Sequence, residues 1–318
     1  MSRFVACRLA FAVVAVSLLS QPLAAQPSGQ AAVLVTGASS GIGRNIAELL
    51  ASKGHFVYAG ARKQEDIKAL SAIPNVQGIK LDVTSAEDIA AAVETVRKGG
   101  RGLWGIVNNA GVAILGPLIE VEEKDLAYLF DVNVYGPFRV TKAFAPMLIE
   151  SKGRVTTVSS ISGILSGPMF GPYSMSKHAI EAYADALSVE MARFGVKVSL
   201  IEPGNYRSEI GRNTVGQVEA HLARNPGSPF EETMKRMVQA MGNYDNYPEP
   251  TAVAEAALHA LFDPAPKMRY MVVPVARQAE VTVRKALEEA VQLNQNHPFS
   301  HDRDGLIRVL DSLLAQVK

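Results

Sequence analysis

The chain has 318 residues, of which 48% are hydrophobic and 20% charged, so it is long enough for one large domain with a substantial core. This composition excludes intrinsic disorder as the main state. The formal net charge of +1 gives no reason to expect a nucleic-acid partner, since phosphate recognition needs a concentrated basic face. The partner therefore has to be inferred from individual sites.

The first 30 residues have the layout of a secretory signal. Arg3 and Arg8 precede an apolar run over residues 9–19, and small and helix-breaking residues follow at 21–26. Because the run is shorter than the roughly 20 residues that span a bilayer, a cleaved signal is favoured over an uncleaved membrane anchor. A misassigned start or a disordered tail stays open as a third interpretation.

The chain shows neither a disulfide pattern nor a metal-ligand pattern. Cys7 is the only cysteine and lies in the first segment, so cysteine usage is silent on the redox compartment. The six histidines lack the spacing of a metal site. We therefore expect no metal.

From Ala31 onward, short apolar runs rich in Val and Ile alternate with longer helical windows. The predicted strands are 32–36, 56–60, 76–80, 103–108, 154–159, 197–202 and 270–274, and helical windows between them include 45–52, 86–97, 135–149 and 173–194. Continuously apolar strands separated by helices indicate an α/β fold, a doubly wound parallel sheet of the Rossmann type. Ligands of such folds bind beyond the carboxyl ends of the strands.

One catalytic domain over residues 31–275 is the economical interpretation, followed by a helical extension over 276–318. Within the domain, residues 204–250 lose regularity and are predicted to be an irregular substrate loop or lid. Three methionines at helical spacing in this segment favour ordinary packing over the lining of a substrate pocket: Met234, Met237 and Met241. The apolar stripe of the last helix, 305–317, favours packing on the body or a subunit interface over a membrane surface.

A glycine-rich turn directly follows the first predicted strand and leads into a helix. Its residues are Thr36, Gly37, Ser39, Ser40, Gly41, Ile42 and Gly43, with Ala38 between them. Glycine lets the backbone turn tightly and approach a pyrophosphate, whose charge the N–H groups of a helix N-terminus stabilise. A tight turn alone would also favour glycine, but the position between strand and helix favours phosphate binding.

Tyr173 and Lys177 lie four residues apart, just after Pro172, and so share one face of a predicted helix. A free phenol has a pKa of about 10, too high for ready proton exchange near neutrality. A neighbouring ammonium and a helix N-terminus would each lower that pKa. Tyr173 could then act as general base in alcohol oxidation or as general acid in carbonyl reduction. The pair alone is also common on exposed helices.

The joint order of several motifs resembles the short-chain dehydrogenase/reductase family, from Ala31 to about Pro274. Three residues separate Gly37 from Gly41, as in that family's glycine motif. Further matches are Leu81-Asp82-Val83, Asn108-Asn109-Ala110-Gly111, Asn133, Ser160, the Tyr173–Lys177 segment and Pro203-Gly204. Residues 102–204 are most similar to the retinol and hydroxysteroid dehydrogenase branch.

The resemblance implies a catalytic set of Asn133, Ser160, Tyr173 and Lys177. Ser160, thirteen residues before Tyr173, would orient the reacting oxygen of the substrate. Asn133 would hold a water near Lys177 and complete a proton relay. Lys177 would also bind the ribose hydroxyls of the nicotinamide.

Further cofactor contacts are implied in the same way. Asp82 and Val83 would contact the adenine, although Asp82 could equally cap a helix. The remaining residues implied to line the cofactor are Asn109, Ala110, Gly111, Pro203, Gly204 and Ser208. The run of Asn109 to Gly111 could also be a strand-ending turn, and Ser208 stands where the family often has threonine.

The end of the second strand favours NADP(H) over NAD(H). An acidic residue there would bond the ribose 2′-hydroxyl and repel a 2′-phosphate. Ala61 occupies the family's usual acidic position, and the guanidinium of Arg62 suits the extra phosphate. Arg44 either assists or is an ordinary solvated arginine of the helix.

Together these features predict an oxidoreductase that transfers a hydride between NADP(H) and a small-molecule alcohol or ketone, of lipophilic (retinoid-, steroid- or lipid-like) character. A non-catalytic NADP-sensing or scaffolding protein on the same fold is the alternative, and a nucleotide-sugar epimerase is a third. The family resemblance implies a homodimer or homotetramer. The N-terminal segment suggests an exported, periplasmic or membrane-anchored protein, whereas use of NADP(H) would suit an enzyme that faces the cytoplasm.

Overall fold

The computed structural model describes residues 32–241 and 246–316. The predicted signal or anchor over residues 1–30 lies outside these ranges. Within them, no helix combines the length and the apolar character that a membrane crossing requires.

Within the described part of the chain, seven parallel strands form one sheet in the order β3-β2-β1-β4-β5-β6-β7. The strands are β1 (Ala32–Val35), β2 (Phe56–Ala61), β3 (Val76–Lys80), β4 (Gly105–Asn108), β5 (Arg154–Val158), β6 (Lys197–Pro203) and β7 (Arg269–Val272). The chain runs outward from β1 to β3 and then returns to β4 on the other side of β1. This reversal opens a crevice at the carboxyl ends of β1 and β4, and the predicted fold class is confirmed.

Helices cover both faces of the sheet. They are α1 (Gly41–Ser52), α2 (Gln64–Ser71), α3 (Ala86–Lys98), α4 (Glu123–Phe130), α5 (Gly136–Ser151), α6 (Gly171–Ala192), α7 (Glu209–Arg224), α8 (Glu231–Met241), α9 (Thr251–Phe262), α10 (Ala276–Leu293) and α11 (Arg303–Gln316). Alternate residues of β1 enter two different cores: Val33 and Val35 pack with α1 and α9, and Leu34 packs with Phe144 of α5 and Ile180 of α6. The strands are therefore apolar on both faces, which is why they read as continuous apolar runs.

The prediction of an irregular segment over 204–250 was wrong, because α7 and α8 lie within it. Glycine at 211 and 216 and many polar residues weaken the helical signal of α7. Tertiary packing overrides that weak propensity: Val218 of α7 and Met234 of α8 are fully buried against Met169. Met234 and Met237 belong to this small core, and the side chain of Met241 lies outside the described residues.

The C-terminal extension forms α10 and α11 at the predicted positions. The apolar stripe of α11 is largely exposed, with Leu310 at 44% and Leu313 at 55% of their full exposure. Of the two expected roles, packing on the body of the same chain does not hold for these two residues, and a subunit interface stays a prediction.

Candidate active site

A cavity of about 560 Å³ opens at the carboxyl ends of the strands, where the fold places a ligand site. The predicted site residues that line it are Gly37, Ser39, Ser40, Gly41, Ile42, Gly43, Arg62, Asp82, Val83, Asn109, Ala110, Gly111, Ser160, Tyr173, Lys177, Pro203, Gly204 and Ser208. Thr36 and Asn133 lie behind the cavity wall and are both almost completely buried. Predicted residues from seven stretches of sequence thus meet in one crevice.

The glycine turn has a backbone that side chains would obstruct. Gly37 and Gly41 have φ angles of 63° and 53°, in the left-handed region that favours glycine. A Cβ on Gly43 would lie 2.3 Å from the carbonyl oxygen of Gly37 and from the side chain of Asn109. The turn therefore requires glycine for its own shape, and its backbone borders the cavity beside the N-terminus of α1.

Thr36 explains why the turn and the end of β4 stay together. Its hydroxyl oxygen accepts hydrogen bonds from the backbone N–H groups of Asn109 and Ala110, both at 3.0 Å. The side-chain amide of Asn109 donates in return to the carbonyls of Thr36 and Gly37. Thr36 thus joins the glycine turn to the end of β4, two segments that line the cavity, because its short side chain points to the neighbouring strand.

Asp82 lines the cavity and also shapes its own turn. Its carboxylate accepts hydrogen bonds from the backbone N–H and the hydroxyl of Thr84, at 2.9 and 2.7 Å. Burial opposes ionisation of Asp82, but these hydrogen bonds and the charge of Arg62 lower its pKa. Arg62 is exposed at the cavity edge, whereas Arg44 pairs with Glu48 on the surface of α1.

Tyr173 and Lys177 occupy the first two turns of α6, whose start is favoured by Pro172. The Lys177 ammonium lies 5.6 Å from the centroid of the Tyr173 ring. It donates a hydrogen bond of 3.0 Å to the carbonyl oxygen of Val158, the last residue of β5. The strand end therefore fixes the lysine beside the phenol.

Lys177 is only 6% exposed, and this burial decides its charge. Desolvation lowers the pKa of Lys177 to about 8, although the nearby negative charge of Glu181 partly opposes that effect. Near neutral pH the side chain remains largely protonated. A buried positive charge beside the phenol stabilises negative charge on the phenol oxygen more strongly than a solvated one would.

Asn133 lies in a π-helical turn, Asp131–Tyr135, that joins α4 to α5. Its amide bonds both backbone groups of Val112, accepting at 2.8 Å and donating at 2.9 Å. The same amide nitrogen donates to the hydroxyl of Ser176, which donates to the Tyr173 carbonyl. Asn133 therefore connects the loop after β4 to the part of α6 that carries Tyr173 and Lys177, and a single π turn is often found at functional positions.

Ser160 follows β5 and begins a short 3-10 turn, Ile161–Gly163. Its hydroxyl oxygen accepts a hydrogen bond of 3.1 Å from the backbone N–H of Ser162. This bond orients the hydroxyl while leaving its proton available to a ligand in the cavity.

The sequence patterns singled out none of a further group of cavity-lining residues, although five of them lie within the segment 204–250 that was predicted to be a substrate loop or lid. They are Leu115, Leu165, Phe170, Tyr206, Ile210, Thr214, Gln217 and Tyr247. Most of them come from α7 and from loops, where the sequence carries no catalytic motif. Gln278 of α10 was also missed: it accepts a hydrogen bond from the backbone N–H of Asn205 and packs against Gly204.

Helix α7 is anchored to the loop before α4 by a buried polar contact. The His221 ring nitrogen Nε2 lies 3.0 Å from the carboxylate of Glu120, and both side chains are mostly buried. The hydroxyl of Ser228 donates to the same carboxylate at 2.8 Å. This contact holds in place the helix that carries Ile210, Thr214 and Gln217 into the cavity.

The family is shown by comparison with known proteins. A family model described as short chain dehydrogenase matches residues 31–218. The chain belongs to the short-chain dehydrogenase/reductase family, as its motifs predicted, and is an oxidoreductase of alcohol and carbonyl substrates.

Three curated relatives illustrate the range of proteins in this family. The chain is 37% identical over 256 residues to the NADPH-dependent 3-dehydrocapnine reductase of Ornithobacterium rhinotracheale. The matched region covers 76% of this chain and 87% of that protein. It is 34% identical over 259 residues to retinol dehydrogenase 5 of Mus musculus, covering 77% and 81%. It is 33% identical over 260 residues to the mitochondrial D-beta-hydroxybutyrate dehydrogenase of Mus musculus, covering 75% and 76%.

Among solved structures, a short-chain dehydrogenase from Streptomyces avermitilis superimposes with a TM-score of 0.71 at 29% identity, covering 85% of this chain and 96% of that one. The retinol dehydrogenase relative agrees with the branch that the sequence indicated.

We predict that His221→Leu raises KM for the substrate severalfold while kcat changes little. The leucine removes the histidine partner of the Glu120 carboxylate and leaves it only the Ser228 hydroxyl, which costs about 1–3 kcal/mol and loosens α7 over the cavity. Steady-state kinetics with varied substrate would measure the effect. Arg224→Gln is the matched control on the same helix, because its 3.8 Å pair with Glu122 is exposed and contributes little. Equal KM values for His221→Leu and the control would show that this contact does not hold the helix.

Proposed function

We propose that this protein transfers a hydride between NADP(H) and a lipophilic alcohol or ketone, with Tyr173 exchanging the proton. The observation that carries the proposal is the buried Lys177 ammonium, 5.6 Å from the Tyr173 ring at the wall of the cavity. A tyrosine and a lysine with only a structural role on a helix surface would leave the lysine charge in water.

The chain's own residues divide the work of the reaction. The positive charge of Lys177 favours the phenolate of Tyr173, so that the phenol can accept a proton from an alcohol or return one to a carbonyl oxygen. Ser160, held by its bond to Ser162, donates a hydrogen bond to the same oxygen. Asn133 positions this face of α6 through Ser176.

The residues present fit a dinucleotide cofactor. The positive-φ glycine turn leaves room for a pyrophosphate at the start of α1, and Pro203, Gly204 and Ser208 border the same cavity. When bound, the nicotinamide supplies or accepts the hydride. Lys177 would hold the nearby ribose, and Asp82 with Val83 would hold the adenine.

Two residues support NADP(H) as the cofactor. Ala61, the last residue of β2, lines the cavity and presents no carboxylate that would repel a 2′-phosphate. Arg62 follows it at the cavity edge, exposed and able to turn its guanidinium to a phosphate. The relative from Ornithobacterium is named as NADPH-dependent.

The part of the cavity that is lined by α7 and by the neighbouring loops supports a lipophilic substrate. Leu115, Leu165, Phe170 and Ile210 line it together with neutral polar groups and Glu209. Among the described residues that line the cavity, the cations are Arg62 and Lys177, to which cofactor and catalytic roles are assigned here. Recognition of a short hydroxy acid would call for a further cation near the reacting carbon.

The proposal predicts turnover of hydrophobic ketones with NADPH and its loss in Tyr173→Phe. A panel of long-chain, steroid and retinoid carbonyls would be compared with acetoacetate by following NADPH consumption. We expect kcat/KM for the best hydrophobic substrate to exceed that for acetoacetate at least about tenfold. Removing the phenol hydroxyl should lower kcat by about 10²–10⁴-fold, the usual contribution of acid-base catalysis.

Cofactor binding by Tyr173→Phe, followed by fluorescence, is the control that the variant is folded. Undiminished turnover in Tyr173→Phe would reject its role. NADPH binding by the wild type without turnover of any carbonyl would favour the alternative of a non-catalytic sensor.

Replacing Arg62 should weaken the preference for NADPH over NADH. We expect Arg62→Ala to raise the dissociation constant for NADPH by about tenfold or more, since a charge-assisted bond contributes about 1.5–3 kcal/mol, and to leave that for NADH nearly unchanged. Titration calorimetry with both cofactors would measure it. Arg44→Ala, which removes an arginine paired with Glu48, is the matched control. An equal loss for both cofactors in Arg62→Ala would contradict the assignment.

A further inference from the structure

A cluster of charged side chains lies next to the active-site elements but outside the cavity lining. Arg269 of β7 is at its centre, with Nε 3.2 Å from Glu181 of α6 and 3.4 Å from Glu202 of β6. Its Nη2 also contacts the carboxylate of Asp185 at 2.7 Å. Three carboxyl groups therefore share a single guanidinium.

The two glutamates are the buried members of this cluster. Glu202 is 2% exposed and Glu181 is 9% exposed, whereas the side chain of Asp185 is about half exposed. One oxygen of each glutamate, Oε1, is buried without a hydrogen bond among the described residues, and in Glu202 this is the oxygen that lies 3.4 Å from Arg269 Nε. Two adjacent buried carboxylates cannot both stay ionised cheaply, and a proton on one would give the other a donor.

Electrostatics agrees with this geometry. Burial and the neighbouring charge of Glu181 raise the pKa of Glu202 to about 8, while Arg269 opposes the rise. The charged groups that face Glu202 are Glu181 and Asp185 from α6 and Arg269 from β7. Lys177 lies one turn before Glu181 on α6, and the charge of Glu181 acts on it.

The cluster contacts all three elements that carry the active-site residues on this side of the cavity. Glu181 lies one turn after Lys177 on α6, and a Cβ on Gly163 would come within 2.8 Å of its Cγ and Oε1. It therefore packs directly on the turn that Ser160 begins. Glu202 immediately precedes Pro203 and Gly204 on β6.

We propose that Glu181 and Glu202 hold one proton between them and, together with Arg269, position the turn of Ser160, the Lys177 face of α6 and the Gly204 loop. Glu202 is a positioning residue, since it borders these elements and does not line the cavity. The consequence for turnover rests on the proposed function, whereas the shared proton and the positioning do not.

The shared proton has a definite effect on stability. A glutamate whose pKa is higher in the folded protein than in the unfolded chain, where it is about 4.3, binds more protons when folded. Its contribution is most favourable at low pH and is lost as pH rises through about 8. Glutamine at position 202 would imitate the protonated form at every pH.

Three variants test the proposal: Glu202→Gln, Glu202→Ala and, as the matched control, Glu190→Gln at an exposed position of α6. From about pH 6 to about pH 9, the unfolding equilibrium constant of the wild type should rise at least about tenfold relative to that of Glu202→Gln. Glu190→Gln should follow the wild type. A ratio that stays constant across this range would overturn the shared proton.

Hydrogen exchange measures the positioning without any need for turnover. At about pH 7, Glu202→Ala should exchange faster than the wild type at residues 160–164 and 204–206, and Glu202→Gln should restore slow exchange. Unchanged exchange in Glu202→Ala, or equal acceleration in both variants, would overturn the positioning.

Kinetics links the cluster to the proposed function. The kcat of Glu202→Gln relative to wild type should rise between about pH 7 and pH 9, because only the wild type gains a second buried negative charge. A flat ratio would overturn the link between this proton and catalysis. If the wild type turns over no carbonyl, the proposed function fails, and the unfolding and exchange results still decide the cluster's role.

Discussion

The site depends on one costly arrangement, a positively charged lysine buried beside a phenol. Desolvation lowers the pKa of Lys177 to about 8, which corresponds to roughly 3 kcal/mol against its charged form. This figure is what remains after the negative charge of Glu181 has opposed desolvation, and the hydrogen bond to Val158 holds the ammonium in place. This unfavourable free energy of burying the lysine charge would bring no benefit unless the charge acted on the phenol of Tyr173.

The surrounding elements hold that arrangement in place. β5 ends at the carbonyl that binds Lys177, and Ser160 follows two residues later, so one strand end places both groups. The π-helical turn brings Asn133 to Ser176, which connects the loop after β4 to the same face of α6. The sheet reversal between β1 and β4 then opens the glycine turn onto the same cavity. The groups that we propose for catalysis and for cofactor binding are thus supported by backbone that the core already fixes.

The sequence predicted the features that local chemistry encodes. Strands buried on both faces appear as apolar runs, so all seven were located to within two residues, and Gly37 and Gly41 were found because their positive φ angles exclude most other residues. Features that depend on distant partners were not predicted. Helix α7 is stabilised by contacts of Val218 and His221, and Gln278 acts on a loop more than seventy residues away. Thr36 was singled out as a cofactor-binding residue, but its hydrogen bonds to the end of β4 could be seen only in three dimensions.

The most direct test of the central claim is the ionisation of Tyr173 itself. Ultraviolet difference spectra between wild type and Tyr173→Phe, recorded as the pH is raised, isolate this one phenol, and the same pair of spectra in a Lys177→Met background shows what the lysine contributes. The account predicts that Tyr173 ionises at least about one pH unit lower when Lys177 is present. Ionisation at the same or a higher pH in the presence of Lys177 would contradict it.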